Sequence, residues 1–135
     1  MIDQSRNTET PRATGPIIAS DRDAGAVTAS ISNAKRAGVT EDIDIQNKSL
    51  SDVELPEGDG WIVSNPPYGL RIGETAPLRN LYARLGKIVR EDAAGYSLAL
   101  LSADKALEAQ LKIPLKEIFR TTNGGIPVRL VVGKG

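Results

Sequence analysis

One short segment of the sequence combines an amide, two prolines and a phenol directly after an apolar run, residues 61–63, that is typical of a buried strand. The side chain of Asn65 and the carbonyl of Pro66 offer two hydrogen-bond acceptors at one point, and Pro67 stiffens the backbone around them. The planar amino group of a nucleobase can donate to both acceptors, while Tyr68 can stack on a base that has swung out of its helix. The alternative is a rigid turn that carries a core tyrosine, but the pattern favours the functional interpretation.

A carboxylate follows an earlier apolar run, residues 17–19, in the same way. Asp21 at the end of a parallel strand can accept hydrogen bonds from the two hydroxyls of a ribose, which is the logic of nucleotide-type cofactor sites in α/β sheets. The alternative is that Asp21 or Asp23 only caps the helix that follows. Both interpretations stay open, because Asp23 can cap the helix while Asp21 binds a ligand.

The overall composition limits the classes of function. The chain has 135 residues, which suits one domain, and its 17 basic residues balance 17 acidic ones, so no strong net field draws the chain alone to nucleic acid. It has no cysteine and no histidine, and we predict no metal site. No apolar run approaches the roughly 20 residues of a membrane span, and we expect a cytoplasmic protein without membrane contact.

The apolar periodicity predicts the order strand, helix, strand, strand, helix, strand, short helix and hairpin. This alternation indicates an α/β fold with a mainly parallel sheet and an antiparallel strand at or near one edge. Asp21 and Asn65 then fall at the carboxyl ends of strands, where ligands bind in such sheets. The predicted ranges are 17–19, 24–37, 43–46, 61–64, 77–94, 96–101, 103–111, 117–121 and 126–132, with a tight turn at Asn123-Gly124.

The segment at residues 65–68 resembles the signature of S-adenosylmethionine-dependent methyltransferases that modify exocyclic amines of nucleobases. The longer stretch 64–73 is similar to the ribosomal and transfer RNA guanine methyltransferases that often carry a THUMP RNA-binding domain. Residues 123–130 resemble the final hairpin of that group, and residues 20–23 match its acidic strand end. The similarity runs from about Pro16 to the C-terminus.

The resemblance implies a Rossmann-like class I methyltransferase sheet that ends in an antiparallel hairpin. It assigns Asn65, Pro66, Pro67 and Tyr68 to target-base binding and catalysis. Asp21 would bind the cofactor ribose, and Asn65 would also lie against the cofactor. The implied reaction is methyl transfer from S-adenosylmethionine to the exocyclic amine of guanine in RNA, as part of a longer enzyme.

Two departures from the family pattern bear on the cofactor. The acidic residue that contacts the adenine in the family is matched best by Ser49, which can still form a hydrogen bond. The glycine-rich cofactor loop, and the strand that should carry it, do not occur before Pro16. We therefore predict a flexible lead-in at residues 1–15, a partial methyltransferase domain at 16–135 that is incomplete at its N-terminal side, and a chain that is inactive alone.

A missing central strand exposes a sheet edge, so we also formulate the hypothesis of a homodimer through that edge. Other hypotheses are adenine methylation in DNA, a truncated or degenerate methyltransferase-like domain without catalysis, and an unrelated α/β domain. Cationic side chains on or near the long helix can line a path for phosphates, although a solvated helix face balanced by acidic neighbours is the favoured alternative. These cations are Arg71, Arg79, Arg84, Lys87 and Arg90.

Overall fold

The computed structural model describes residues 2–68 and 75–135. The chain divides into two compact units, the first ending at Pro56 and the second spanning Glu57–Gly135. None of the helices in the described ranges is long and apolar enough to cross a membrane.

The first unit is built around two parallel strands joined by a helix. In chain order its elements are α1 (Ile2–Asn7), β1 (Ile17–Asp21), α2 (Ala24–Ala37), β2 (Ile43–Asn47) and a 3-10 turn (Leu50–Asp52). The strands pair in register from Ile17 opposite Ile43 to Asp21 opposite Asn47. This strand-helix-strand unit is the one that the sequence predicts, and β1 extends to Asp21 itself.

The ends of α2 follow from local chemistry. Asp23 is the N-cap, because its carboxylate accepts a hydrogen bond from the backbone N–H of Ala26 at 3.0 Å. Gly38 ends the helix in the left-handed conformation at a φ of 73°, and its N–H reaches the carbonyls of Ala34 and Lys35. Both boundaries agree with the sequence prediction, and the capping role falls to Asp23 rather than to Asp21.

The lead-in contains one element that the sequence does not predict, the short helix α1. The hydroxyl of Thr8 donates to the carbonyls of Gln4 and Ser5 at the end of this helix, both at 3.2 Å. Farther along, Arg12 forms ion pairs with Glu41 and Asp42 at 2.8 and 2.9 Å. The flexibility of residues 1–15 stays a prediction.

The second unit contains a mixed four-stranded sheet. Its elements are β3 (Gly60–Ser64), α3 (Thr75–Lys87) continued by a π-helical turn (Ile88–Asp92), β4 (Tyr96–Ser102), α4 (Lys105–Ala109), β5 (Leu115–Asn123) and β6 (Ile126–Lys134). The strand order is β3-β4-β6-β5, where β3 and β4 are parallel and the other pairs are antiparallel. The closing hairpin therefore places β5 at an edge of this sheet, as the sequence predicts.

The core of the second unit is mainly aliphatic and centres on β4. Leu98 and Leu100 are fully buried, and β4 alternates between buried and half-buried positions along its length. The helix α3 and its π-helical turn cover one face of the sheet through a continuous apolar stripe. The buried members of that stripe are Leu78, Tyr82, Leu85, Ile88 and Val89.

Three predicted boundaries are corrected by the structure. Pro77 lies in the first turn of α3 rather than at its first residue, which is tolerated because first-turn N–H groups lack helical partners. The helix α4 begins later than predicted, since the Asp104 carboxylate caps the N–H groups of Ala106 and Leu107. The predicted turn at Asn123-Gly124 is shifted by one residue, because Gly124 and Gly125 have positive φ values of 57° and 82°.

The shifted turn changes the place of one side chain. Asn123 is the last residue of β5 and pairs with Ile126 across the hairpin. Both central turn positions are glycines, which adopt positive φ without steric cost. The side chain of Asn123 is consequently free of any turn-forming role.

The strand β3 is less buried than its composition suggests. Trp61 and Val63 are 61% and 76% exposed, whereas Ile62 between them is half-buried. In the part of the chain that the structure describes, β3 pairs with β4 alone. The homodimer hypothesis requires an exposed apolar sheet edge such as this one, but nothing in the structure shows what would cover it. The homodimer stays a prediction, to be tested by sedimentation at several concentrations.

The buried phenol of Tyr82 makes stability sensitive to alkaline pH. The pKa of Tyr82 is raised to about 12, chiefly by burial; a hydrogen bond with Ser102 partly offsets this, and nearby Glu108, Asp104 and Tyr68 add smaller raising effects. An unfolded tyrosine ionises near pH 10, so the contribution of the neutral phenol is full below pH 10 and is lost as the pH rises through about 12. A shift of this size corresponds to about 2–3 kcal/mol.

We expect the urea-denaturation free energy to fall more steeply between pH 10 and 12 for the wild type than for the Tyr82→Phe variant, which has no proton to lose there. The difference between the two curves isolates this phenol from the other groups that titrate at alkaline pH. Parallel curves for the two proteins would contradict the assignment.

Candidate active site

The segment with the amide and the two prolines lies directly beyond the carboxyl end of β3. Asn65 and Pro67 are exposed, Pro66 is buried and Tyr68 is half-buried. The buried Pro66 ties the segment to the packed interior, while the polar side chain beside it stays accessible. The amide of Asn65 is therefore available to a ligand rather than sealed inside a core, which is the condition that the target-base hypothesis requires.

A chain of two hydrogen bonds joins this segment to the end of β5. The Tyr68 hydroxyl donates to the Asn65 side-chain oxygen at 2.8 Å. The side-chain N–H of Asn123 in turn donates to the Tyr68 hydroxyl at 2.6 Å. An amide oxygen has two lone pairs, so Asn65 keeps one acceptor position beyond the bond from Tyr68.

The participation of Asn123 is a site feature that the sequence analysis missed. It identified residues 123–130 only by their resemblance to a final hairpin, and it placed Asn123 in the turn. Tyr68 and Asn123 are 55 residues apart in the chain, so their contact depends on the tertiary fold. The stacking of Tyr68 on a base stays a prediction, and the residues 69–73 that extend the resemblance lie outside the described residues.

Buried polar groups lie close behind Tyr68. Tyr82 of α3 is near enough that a charge on Tyr68 would raise its pKa, and it forms a hydrogen bond with Ser102. Ser102, the last residue of β4, is fully buried and accepts the N–H of Asp104 at 3.3 Å. Within the second unit, the hydrogen bond between Tyr82 and Ser102 thus joins α3 to the end of β4.

The candidate cofactor residues lie in the first unit. Asp21 is exposed at the end of β1, and one carboxylate oxygen accepts the N–H of Asp23 at 2.8 Å. Within the described ranges its other oxygen has no hydrogen-bond partner, which fits a ribose hydroxyl. Asn47 fixes this strand end, because its side-chain N–H groups reach the carbonyls of Asp21 and Arg22 at 2.9 and 3.1 Å.

Ser49, the predicted adenine contact, is engaged within its own turn. Its hydroxyl donates to the carboxylate of Asp52 at 2.5 Å. A ligand that used the Ser49 hydroxyl as a donor would have to replace this bond. The role of Asn47 was missed by the sequence analysis, which chose Ser49 from the same short stretch.

The cationic residues of α3 are consistent with a solvated helix face. Arg84 and Lys87 lie 3.8 Å from Asp92 and Glu91, respectively, and all four side chains are at least one-third exposed. Arg90 instead donates to the carbonyl of Leu111. Arg79 of α3 is exposed, and Arg71 lies outside the described residues.

The comparison with protein families decides the class of this chain. The family model UPF0020, described as an RMKL-like methyltransferase domain, matches residues 2–131. This chain belongs to the UPF0020 methyltransferase family. The family is one of S-adenosylmethionine-dependent enzymes, as the resemblance of the residue 65–68 segment predicts.

Relatives of this UPF0020 domain are named as RNA enzymes. A Synechocystis protein named "Putative RNA methyltransferase slr0064" is 31% identical over 116 residues, which cover 86% of this chain and 30% of that protein. The ribosomal RNA large subunit methyltransferase K/L of Shewanella sp. (strain MR-4) is 36% identical over 107 residues, which cover 79% of this chain and 15% of that protein. The chain thus spans less than a third of either relative.

The fold of the UPF0020 domain is that of a class I methyltransferase. The "Crystal structure of SMU.472, a putative methyltransferase complexed with SAH" superposes with a TM-score of 0.81 at 21% identity. The match covers 98% of this chain and 35% of that one. The α/β fold with antiparallel C-terminal strands is therefore confirmed.

Proposed function

We propose that this chain carries the target-base part of an RNA methyltransferase that transfers a methyl group to the exocyclic amine of guanine in ribosomal or transfer RNA. The observation that carries the proposal is the exposed Asn65 oxygen beside the Pro66 backbone, at the end of β3 in a methyltransferase fold. The choice of RNA is supported by the names of the two relatives.

The proposed roles follow from the hydrogen-bonding groups of the segment. The side-chain oxygen of Asn65 and the carbonyl oxygen of Pro66 accept the two N–H groups of the amine and turn its lone pair toward the methyl group. When bound, S-adenosylmethionine would supply that methyl group: a nitrogen–carbon bond would form as the sulfur–carbon bond breaks, S-adenosylhomocysteine would leave, and the amine would release one proton to solvent. Pro67 restricts the backbone of the segment, and Tyr68 covers the base.

The cofactor is proposed to be held partly by this chain. The carboxylate oxygen of Asp21 that does not accept from Asp23 receives a hydrogen bond from a ribose hydroxyl, Ser49 contacts the adenine and Asn65 lies near the methyl group. We further propose that residues 16–135 form a partial methyltransferase domain whose glycine-rich loop lies outside them. Calorimetry of the isolated chain with S-adenosylmethionine is then expected to show weak or no binding, and tight binding would contradict this division.

The decisive experiment measures transfer of a radiolabelled methyl group by the complete product of the gene that encodes this chain. Unmodified ribosomal RNA, unmodified transfer RNA and adenine-containing duplex DNA serve as separate substrates. We expect label in RNA, recovered as a methylated guanine after digestion. Label in DNA adenine alone would establish the second candidate reaction, and no transfer to any substrate would support a degenerate domain.

A further inference from the structure

We propose that Asn123 is a positioning residue for the target-base site and that it acts through the hydroxyl of Tyr68. The inference rests on the proposed function, which assigns the Asn65 oxygen to the substrate amine. Asn123 touches neither substrate nor cofactor in this proposal. Asn123 fixes the direction of the Tyr68 hydroxyl proton. That proton in turn determines whether the oxygen or the NH2 group of the Asn65 amide faces the base.

This positioning role follows from the hydrogen-bond donors and acceptors of Asn123, Tyr68 and Asn65. A phenol hydroxyl has one proton and accepts through its oxygen, while an amide presents an acceptor oxygen on one side and a donor NH2 on the other. The N–H of Asn123 occupies an acceptor position of the Tyr68 hydroxyl at 2.6 Å, and the phenol proton points to the Asn65 oxygen at 2.8 Å. Successive bonds of this kind polarise one another.

The consequence concerns the exposed amide of Asn65. An exposed amide can rotate by half a turn and would then offer its NH2 group to the NH2 group of the base, which cannot accept it. The donation from Tyr68 favours the orientation with the oxygen at the site. The bond from Asn123 favours the Tyr68 proton direction that makes this donation.

The hairpin is built to hold Asn123 at this place. Two glycines form the turn, so Asn123 remains the last paired residue of β5. Farther along the hairpin, Arg129 of β6 forms ion pairs with Glu117 of β5 and Glu108 of α4. The hairpin is thereby anchored to the rest of the second unit, which limits the movement of its end relative to Tyr68.

The test uses two substitutions with opposite hydrogen-bonding properties in the complete gene product. Asn123→Ala removes the donor and is expected to lower kcat by about 3- to 10-fold. Asn123→Asp is nearly isosteric but replaces the donor with an acceptor that attracts the phenol proton away from Asn65. Its kcat is expected to fall further, by about 10- to 100-fold. The KM for S-adenosylmethionine should stay unchanged in both.

Thr122→Ala is the matched control, because Thr122 is exposed and adjacent, and its side chain points to the opposite face of β5. It is expected to behave as the wild type. In a Tyr68→Phe background, which lacks the hydroxyl, both Asn123 substitutions should change kcat by less than about 2-fold, since the route of their effect is gone.

The outcomes separate the inference from the proposed function. An inactive Asn65→Ala variant together with an Asn123→Asp variant that matches Thr122→Ala overturns the role of Asn123 alone. Equal losses for Asn123→Ala and Asn123→Asp that persist in the Tyr68→Phe background indicate a structural role and also overturn it. A fully active Asn65→Ala variant, or a wild type without methyl transfer, overturns the proposed function and the inference with it.

Discussion

Replacement of Asn65 by alanine is expected to lower the kcat for methyl transfer by about 100- to 1,000-fold without a change in the melting temperature. The substitution removes one of two acceptors that orient the substrate amine. Asn65 is exposed, so its loss leaves no cavity, and its bond with the Tyr68 hydroxyl lies at the surface. A large effect on the reaction and a small one on stability distinguish a site residue from a core residue.

The matched control for this prediction is Asn65→Asp. A carboxylate has nearly the same shape as the amide and offers only acceptor oxygens, so it can still receive both the Tyr68 hydroxyl and the substrate amine. We expect this variant to lose less than about 10-fold in kcat. Methyl transfer is measured in the complete gene product and melting by circular dichroism. An alanine variant that transfers methyl groups at the wild-type rate would refute the role of Asn65.

The elements that the sequence predicts well are those whose ends are set by neighbouring residues. The helix α2 begins at the cap Asp23 and ends at Gly38, and both interactions join residues no more than four positions apart. The same holds for β1, whose apolar run is followed by polar residues, and for β2, in which apolar and polar residues alternate over 43–46. Local chemistry of this kind is visible in one sequence, because no knowledge of the remaining fold is needed.

The features that the sequence could not supply depend on distant parts of the chain. The apolar composition of β3 indicates a buried strand, yet Trp61 and Val63 are exposed because burial depends on what lies beside and above the strand. The contact between Tyr68 and Asn123 requires the hairpin to fold back onto the end of β3. It also requires the turn to use two glycines, and an Asn-Gly-Gly stretch is compatible with either turn position.

Substitution of Arg129 by methionine is expected to lower the free energy of unfolding by about 3–5 kcal/mol. Methionine retains much of the aliphatic stem, so the loss reports the guanidinium. The Glu108 side chain is only 10% exposed and forms an ion pair with Arg129, which is itself 18% exposed. Without this partner a carboxylate remains nearly buried and uncompensated, which costs far more than the loss of a surface pair.

Arg120→Met provides the matched control for Arg129→Met, because both arginines form an ion pair with the same carboxylate, Glu117. Arg120 is 71% exposed, and loss of its solvent-screened surface pair is expected to change the free energy of unfolding far less than the loss of Arg129. The unpaired Glu108 carboxylate is the expected cause of the destabilisation in Arg129→Met. Adding Glu108→Gln to that variant should therefore restore part of the lost stability, since burying a neutral amide costs less free energy than burying an unpaired charge. Urea denaturation of the three variants measures these differences. Equal losses of unfolding free energy for the two arginine substitutions would show that the burial of Glu108 does not control the stability of the hairpin.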